Sequence, residues 1–221
     1  MKAKLIACRV LIEEMRDFIP EDIDTEIFDI SQHTRPKLLK DSLQSAVDRA
    51  DGKYDTILLG YGLCSNSVVG LKASHSQLVI PRMHDCIGIL LGSHHAYLRE
   101  MTKEPAFFLT KGYINGYITD KCGPMEEMNE VALKYGRERA ERIVAEMMKH
   151  YSRLVYIRPL DPATITRDEQ YAHAMADHFG MRFEERDGVH VVLTRLVSGE
   201  WNHDFVVVPP GQEVTLEQFM N

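Results

Sequence analysis

Residues 54–64 read Tyr54-Asp-Thr-Ile-Leu-Leu-Gly-Tyr-Gly-Leu-Cys64, a nearly continuous apolar run that ends in a glycine-rich turn. Strands buried on both faces of a parallel sheet have this pattern. Glycines after such a strand let the backbone turn sharply or approach a ligand. The stretch therefore predicts a buried strand at residues 54–59, with Cys64 just beyond its carboxyl end.

The first 100 residues alternate strand and helix patterns around this run. We predict strands at residues 4–8, 25–30, 54–59 and 77–80, and helices at residues 11–18 and 36–50 and from residue 86 onward. Uninterrupted apolar strands separated by helices are typical of a parallel sheet with helices on both faces. The fold class predicted is therefore α/β, and Rossmann-like.

The last third of the chain repeats this order. We predict strands at residues 153–157, 181–185 and 205–208, and helices at residues 167–179 and 189–197. The middle has a strand at residues 105–109, a Gly- and Tyr-rich stretch without clear period at 111–123, and the longest helical pattern at 125–151. We expect an N-terminal α/β lobe over residues 1–100, a loop and long bridging helix over 101–151, and a similar C-terminal α/β lobe over 152–221.

The bulk composition excludes some classes of protein. A net charge of −7 over 221 residues argues against non-specific nucleic-acid binding, which needs a basic surface. No apolar stretch approaches the roughly 20 residues that span a bilayer, and no basic-then-apolar leader opens the sequence. We therefore expect a cytoplasmic protein with neither nucleic-acid nor membrane partners. In a reducing compartment, four cysteines are more often ligands, nucleophiles, redox groups or buried apolar residues than disulfides.

Three of these cysteines follow predicted strands. Cys8, Cys64 and Cys86 come after the runs at residues 4–7, 57–63 and 79–81, and the carboxyl ends of neighbouring parallel strands meet at one edge of a sheet. His84 lies two residues before Cys86, so on an extended segment both side chains point to the same side. We predict a metal site of Cys8, Cys64, His84 and Cys86. These ligands suit tetrahedral zinc, and an iron–sulfur cluster stays open as the alternative.

The residues around Cys86 have expected roles of their own. Cys86 opens a predicted helix, where the dipole and free amides favour the thiolate. Asp85 is expected to cap that helix in preference to orienting an imidazole. Cys122 lies in the Gly-rich middle, and we expect an ordinary loop thiol there.

Further polar residues flank the predicted site. Tyr61 and Arg82 are placed to hold an anionic substrate, and His33, which follows the second strand, is expected at the same edge. We predict Tyr61, Arg82 and His33 as substrate-binding residues. His94 and His95 are expected near a helix end, where histidines interact with the dipole.

The sequence resembles the family called domain of unknown function 1638 (DUF1638) over nearly its full length. The matching blocks are Leu5-Ile-Ala-Cys8, Tyr54 to Cys64, Val79-Ile-Pro-Arg-Met-His-Asp-Cys86 with Leu90-Leu-Gly-Ser93, and Phe205-Val-Val-Val-Pro-Pro-Gly211. The resemblance implies a link to anaerobic metabolism and to a corrinoid protein as partner, since some members lie near corrinoid-dependent methyltransfer genes. Gly112-Tyr113 departs from the Gly-Trp expected at that place in the family.

A second resemblance is local. His84-x-Cys86 with Cys64 or Cys8 is similar to the H-x-C pair and distant cysteine of zinc-dependent thiol methyltransferases, including cobalamin-independent methionine synthase. That resemblance implies zinc holding a substrate thiol as thiolate. Those enzymes are barrels, however, and here the distant cysteine precedes the pair.

These observations predict a zinc–thiolate enzyme that activates a small-molecule thiol or takes part in methyl transfer, similar to zinc-dependent methyltransferases. Two alternatives stay open. The same residues would serve a non-catalytic metal or cofactor carrier, or an iron–sulfur or redox accessory protein.

Overall fold

The computed structural model describes residues 2–120, 123–159 and 165–220. It confirms the α/β, Rossmann-like fold class, with one mostly parallel sheet, one parallel sheet and helices around them. The strands are β1 (Ala3–Cys8), β2 (Asp24–Phe28), β3 (Thr56–Gly60), β4 (Gln77–Pro81), β5 (Ala106–Thr110), β6 (Arg153–Arg158), β7 (Arg182–Asp187) and β8 (Phe205–Val208).

Helices connect most of these strands. They are α1 (Arg9–Met15), α2 (Pro36–Ala50), α3 (Cys86–Leu90), α4 (His94–Met101), α5 (Lys111–Asp120), α6 (Pro124–Tyr135), α7 (Arg137–Met148), α8 (Ile165–Phe179) and α9 (Val191–Ser198). Short 3-10 turns lie at Arg16–Phe18, Ile30–Thr34 and Glu217–Phe219. As the apolar run predicts, every residue of β3 is buried.

The first sheet has the strand order β2-β1-β3-β4-β8. Its first four strands are parallel, and β8 pairs antiparallel with β4. The second sheet has the order β5-β6-β7 and is parallel throughout. We expected Phe205–Val208 with the last third of the chain, and this placement is wrong, because the strand returns to the edge of the first sheet. The predicted boundaries at residues 100 and 151 stay predictions.

The middle of the chain differs from its predicted form. The helical pattern at residues 125–151 is two helices, α6 and α7, which pack against each other and meet at Gly136. Gly136 has φ +85°, a backbone conformation that ends a right-handed helix and favours glycine. The stretch from residue 111, which showed no clear period, begins with the helix α5.

Close packing joins the elements that carry the site. A Cβ on Gly60 would lie 2.4 Å from the Cβ of Ala7, its register partner on β1. A Cβ on Gly112 would lie 2.1 Å from the carbonyl oxygen of Val10, so only glycine lets α5 lie this close to α1. The Gly112 contact holds α5, which follows β5 of the second sheet, beside the carboxyl edge of the first sheet.

Candidate functional site

Three cysteines lie together at the carboxyl edge of the first sheet. Cys8 ends β1, Cys64 lies four residues beyond β3, and Cys86 begins α3 after β4. All three side chains are buried. Burial raises the pKa of the Tyr61 hydroxyl well above its ordinary value, and the three sulfurs lie close enough to raise it further when they are ionised. We call Cys8, Cys64, Cys86 and Tyr61 the thiol site.

A left-handed turn positions Cys64. Cys64, Ser65 and Asn66 have φ values of 44°, 59° and 63°, the left-handed region that residues other than glycine rarely occupy. The amide of Ser67 closes the turn by donating to the carbonyls of Leu63 (2.9 Å) and Cys64 (3.3 Å). Each such residue costs about 1 kcal/mol or more, and strain of this kind clusters at functional sites.

Hydrogen bonds hold this turn against the segment that carries Cys86. The amide of Leu63 donates to the carbonyl of Met83 (2.9 Å), and the amide of Cys64 donates to the carbonyl of His84 (2.9 Å). The sulfur of Cys64 accepts a hydrogen bond from the amide of Cys86. The sulfur of Cys86 is also within reach of that same amide. Two of the three sulfurs therefore lie beside one N–H group.

Asp85 caps α3, as the sequence predicts. One carboxylate oxygen accepts from the amides of Ile87 (2.9 Å) and Gly88 (3.1 Å), and the other accepts from the hydroxyl of Tyr97 (3.0 Å). Both oxygens are thus occupied by the cap and by α4. The carboxylate also sits close enough to Cys64 and Cys86 to disfavour their thiolates.

Burial disfavours the thiolate forms of Cys64 and Cys86, against the expectation that the start of α3 favours a thiolate at Cys86. Burial raises the pKa of Cys64 to about 12 and the pKa of Cys86 well above its ordinary value. Negative charge on Asp85 raises both further. The helix that Cys86 opens has only five residues, so its dipole does not overcome the cost of burying a charge.

His33 joins the thiol site. Its Nδ1 lies 3.9 Å from the sulfur of Cys8, and its ring stacks on Tyr61 with centroids 6.1 Å apart. Burial lowers the pKa of His33, so the imidazole is neutral at pH 7. The buried hydroxyl of Tyr61 has no hydrogen-bond partner among the described residues. A buried polar group of this kind calls for a ligand, ion or water.

His84 and Arg82 lie apart from the thiols. His84 is exposed and stacks on His94 (5.2 Å between centroids) and Tyr97 (5.7 Å) of α4. Side chains two residues apart point to the same side only where the chain is extended. Here the chain bends after β4 and enters α3 at Cys86. Arg82 donates its amide to the carbonyl of Asp204 (2.7 Å), beside β8. His84 thus contacts α4 and Arg82 contacts the segment before β8, and their predicted site roles stay predictions.

Tyr113 is a site residue that sequence reasoning missed. Its hydroxyl lies 3.1 Å from the sulfur of Cys86, the side chain is half-buried against the core, and desolvation raises the pKa of the hydroxyl well above its ordinary value. The available signal was Gly112-Tyr113, where the chain departs from the family pattern. Gly112 permits the close approach of α5 that brings Tyr113 to the sulfur.

The donor set suits a soft metal ion by its chemistry, since sulfur ligands select zinc, copper(I) or iron–sulfur clusters. Over residues 2–120, 123–159 and 165–220, no group of three or more His, Cys, Asp or Glu side chains is arranged to hold a metal ion. Metal binding would therefore require the sulfurs to move closer together. Cys122 lies outside the described residues.

The chain belongs to the DUF1638 family of proteins of unknown function, whose profile matches residues 27–197. The family resemblance seen in the sequence is thereby confirmed over residues 27–197, while the blocks at residues 5–8 and 205–211 lie outside the match. No curated protein and no solved structure matches the chain. In the part of the chain that the structure describes, no helix is both long enough and apolar enough to cross a membrane.

Proposed function

We propose that this protein binds a thiophilic metal ion, most simply Zn²⁺, at the thiol site and uses it to activate a thiol or to take part in methyl transfer. The observation that carries the proposal is the meeting of three buried cysteines from the ends of three neighbouring strands around the unpartnered hydroxyl of Tyr61. Cys8, Cys64 and Cys86 are the proposed ligands. His84, predicted with them, would have to leave its stack on His94 and Tyr97 to join.

Metal binding gives a reason for burying three thiols together. Three protonated thiols in an apolar site are stable, whereas three thiolates there would be costly without a cation. Bound zinc would supply the positive charge that stabilises the thiolates and, with three protein ligands, a fourth position for a substrate thiol.

The neighbouring residues have roles that follow from their positions. Neutral His33, with Nδ1 3.9 Å from the sulfur of Cys8, is placed to accept the proton that Cys8 gives up. The buried Tyr61 hydroxyl is free to donate to an incoming group. Tyr113 and the capped start of α3 hold Cys86 in place and keep water from its sulfur.

The substrate and partner parts of the proposal rest on resemblance. The family resemblance supports a role in anaerobic, corrinoid-linked metabolism with a corrinoid protein as partner. The local resemblance to zinc-dependent thiol methyltransferases supports a small-molecule thiol as substrate. The strained turn at Cys64 supports a catalytic role over a purely structural one, because such strain is a common feature of active sites.

Metal analysis after anaerobic purification tests the proposal. We expect about one zinc per chain in the unaltered protein, and much less in Cys64→Ser and Cys86→Ser. Cys122→Ser is the matched control, because it removes a cysteine that we expect to be an ordinary loop thiol. Iron with acid-labile sulfide would instead favour the iron–sulfur alternative. The absence of bound metal, with all variants equally stable, would contradict the proposal.

A second measurement separates an enzyme from a carrier. Cobalt(II) in place of zinc gives visible bands that report on its ligands. We expect a small-molecule thiol to change the bands if a coordination position is open to substrate. Unchanged bands over a wide range of thiols would favour the non-catalytic metal carrier.

A further inference from the structure

A concave site lined by Arg82 and Met83 lies near the end of β4. It has a volume of about 330 Å³ and lies between the end of β4, the start of α4, the segment before β8 and the last 3-10 turn. We call it the histidine cleft. The lining residues used below are Arg82, His94, His95, His203, Asp204 and Phe219.

The fold brings these side chains together from distant parts of the sequence. Arg82 follows β4, and its guanidinium reaches the carbonyl of Phe205 on β8 (3.4 Å). His94 and His95 are the first two residues of α4, which Ser93 caps by accepting from the amide of Ala96 (3.1 Å). His94 and His95 therefore lie at the N-terminus of α4. We expected them near the C-terminal end of a helix, where the dipole favours histidine. This placement aims two imidazoles at the cleft.

The side chains of the cleft are mainly cationic or able to become so. Arg82 contributes a guanidinium, and His94, His95 and His203 contribute three imidazoles. Among the residues lining the cleft, Asp204 is the single carboxylate. Its carboxylate already pairs with Arg195 (3.4 Å) and lies 3.4 Å from Nε2 of His203. In a chain of net charge −7, the cleft therefore gathers one guanidinium and three imidazoles beside a carboxylate that is already paired.

We infer that the histidine cleft binds the phosphate group of a small molecule. A guanidinium fork and imidazole N–H groups from separate elements match the several oxygens of a tetrahedral phosphate better than the two of a carboxylate. The side chain of Phe219 supplies an apolar wall for the rest of the ligand. The volume lies at the low end of the range for small-molecule sites. The inference does not depend on metal at the thiol site.

Isothermal titration with inorganic phosphate tests the inference, since guanidinium and imidazole N–H groups can both donate to phosphate oxygens. We expect one site per chain, with affinity about tenfold weaker in His94→Gln and in Arg82→Gln, because each loses a charge-assisted hydrogen bond. His150→Gln is the matched control, since His150 is exposed beyond α7, away from the cleft. The affinity of His150→Gln for phosphate should equal that of the unaltered protein.

Several results would overturn the inference. These are no heat of binding with phosphate at millimolar concentration, equal affinity in all variants, or tighter binding of succinate than of phosphate. If Arg82→Gln fails to fold, His94→Gln and His203→Gln decide the outcome, because both side chains are exposed. Phosphate binding that persists in Cys86→Ser would show that the cleft acts independently of the thiol site, whereas its loss there would contradict the inference as stated.

Discussion

The hydroxyl of Tyr113 lies 3.1 Å from the sulfur of Cys86, and this contact links two sheets at the proposed site. Cys86 begins α3 after a strand of the first sheet, and Tyr113 lies on α5 after a strand of the second. The proposed ligand therefore depends on packing between parts of the chain that are separated in sequence. The thiol site is a product of the whole fold and not of one βα unit.

Tyr113→Phe removes the hydroxyl and keeps the ring. We expect it to lower the free energy of unfolding by about 1 kcal/mol, the value of a typical hydrogen bond, and to weaken metal binding by changing how Cys86 is held. Chemical denaturation measures the first effect. Tyr135→Phe is the control, because Tyr135 is 56% exposed. Equal stability in both variants would show that the Tyr113 contact has no energetic role.

The three thiols should resist alkylation in the metal-free folded protein. Burial raises the pKa of Cys64 to about 12 and that of Cys86 well above its ordinary value, so the reactive thiolate is scarce at pH 8. We expect iodoacetamide to label Cys8, Cys64 and Cys86 far more slowly in the native state than in urea, as measured by peptide mass spectrometry. Labelling of Cys86 at the rate of an unfolded cysteine would contradict the assigned environment.

The left-handed turn predicts an unusual response at Ser65. This residue is exposed and has φ 59°, so glycine relieves strain there while β-branched residues add to it. We expect Ser65→Gly to leave stability unchanged or raise it by up to about 1 kcal/mol, and Ser65→Val to lower it by more than about 1 kcal/mol.

Ser74 provides the matched comparison for Ser65. It is also exposed, but its φ is not positive, so Ser74→Gly should destabilise the protein by raising the entropy of the unfolded chain. Thermal unfolding of Ser65→Gly, Ser65→Val and Ser74→Gly measures these three effects. The same sign of effect for glycine at the two positions would contradict the strain assigned to the turn.

Glu100 predicts an acid-sensitive contribution to stability. Burial opposes its ionisation, but Arg186, Lys103 and Arg153 donate to the carboxylate and bring its pKa down to about 2 from 4.5. As the pH falls, Glu100 therefore binds a proton at a higher pH in the unfolded chain than in the folded protein. The stabilisation is complete above about pH 4.5 and is lost as the pH falls toward 2.

Glu100→Gln measures this contribution. Its partner Arg153 is fully buried, so we expect a loss of about 3 kcal/mol at pH 7, shrinking as the pH falls from 4.5 to 2. Glu141→Gln, which breaks an exposed pair with Arg137, should cost less than about 0.5 kcal/mol. A deficit in Glu100→Gln that does not vary with pH would show that the carboxylate charge is not what stabilises this network.

The sequence predicted the edge at which the cysteines meet, because apolar runs and their following turns are local features. It did not predict the position of His84. That prediction assumed an extended chain through Cys86, whereas Asp85 ends the extended segment and caps α3. The raised pKa of Cys86 was not predicted either. The burial of this thiol depends on α5 and Tyr113, which come from another part of the chain.

Two features of the fold were missed for different reasons. Helical periodicity runs through Gly136, and one glycine costs only about 1 kcal/mol in a helix, so the break between α6 and α7 left a weak signal. The pairing of β8 with β4 joins residues more than 120 positions apart in sequence, for example Pro81 and Phe205, and no local pattern encodes such a partner.

Zinc K-edge X-ray absorption on the anaerobically purified protein tests the central claim most directly, because it counts the sulfur atoms around the metal. We predict about three sulfur scatterers at about 2.3 Å, falling to about two around the reduced amount of zinc that Cys86→Ser still binds, and unchanged in Cys122→Ser. A shell of nitrogen and oxygen alone, or the same sulfur count in Cys86→Ser, would contradict a metal site built from Cys8, Cys64 and Cys86.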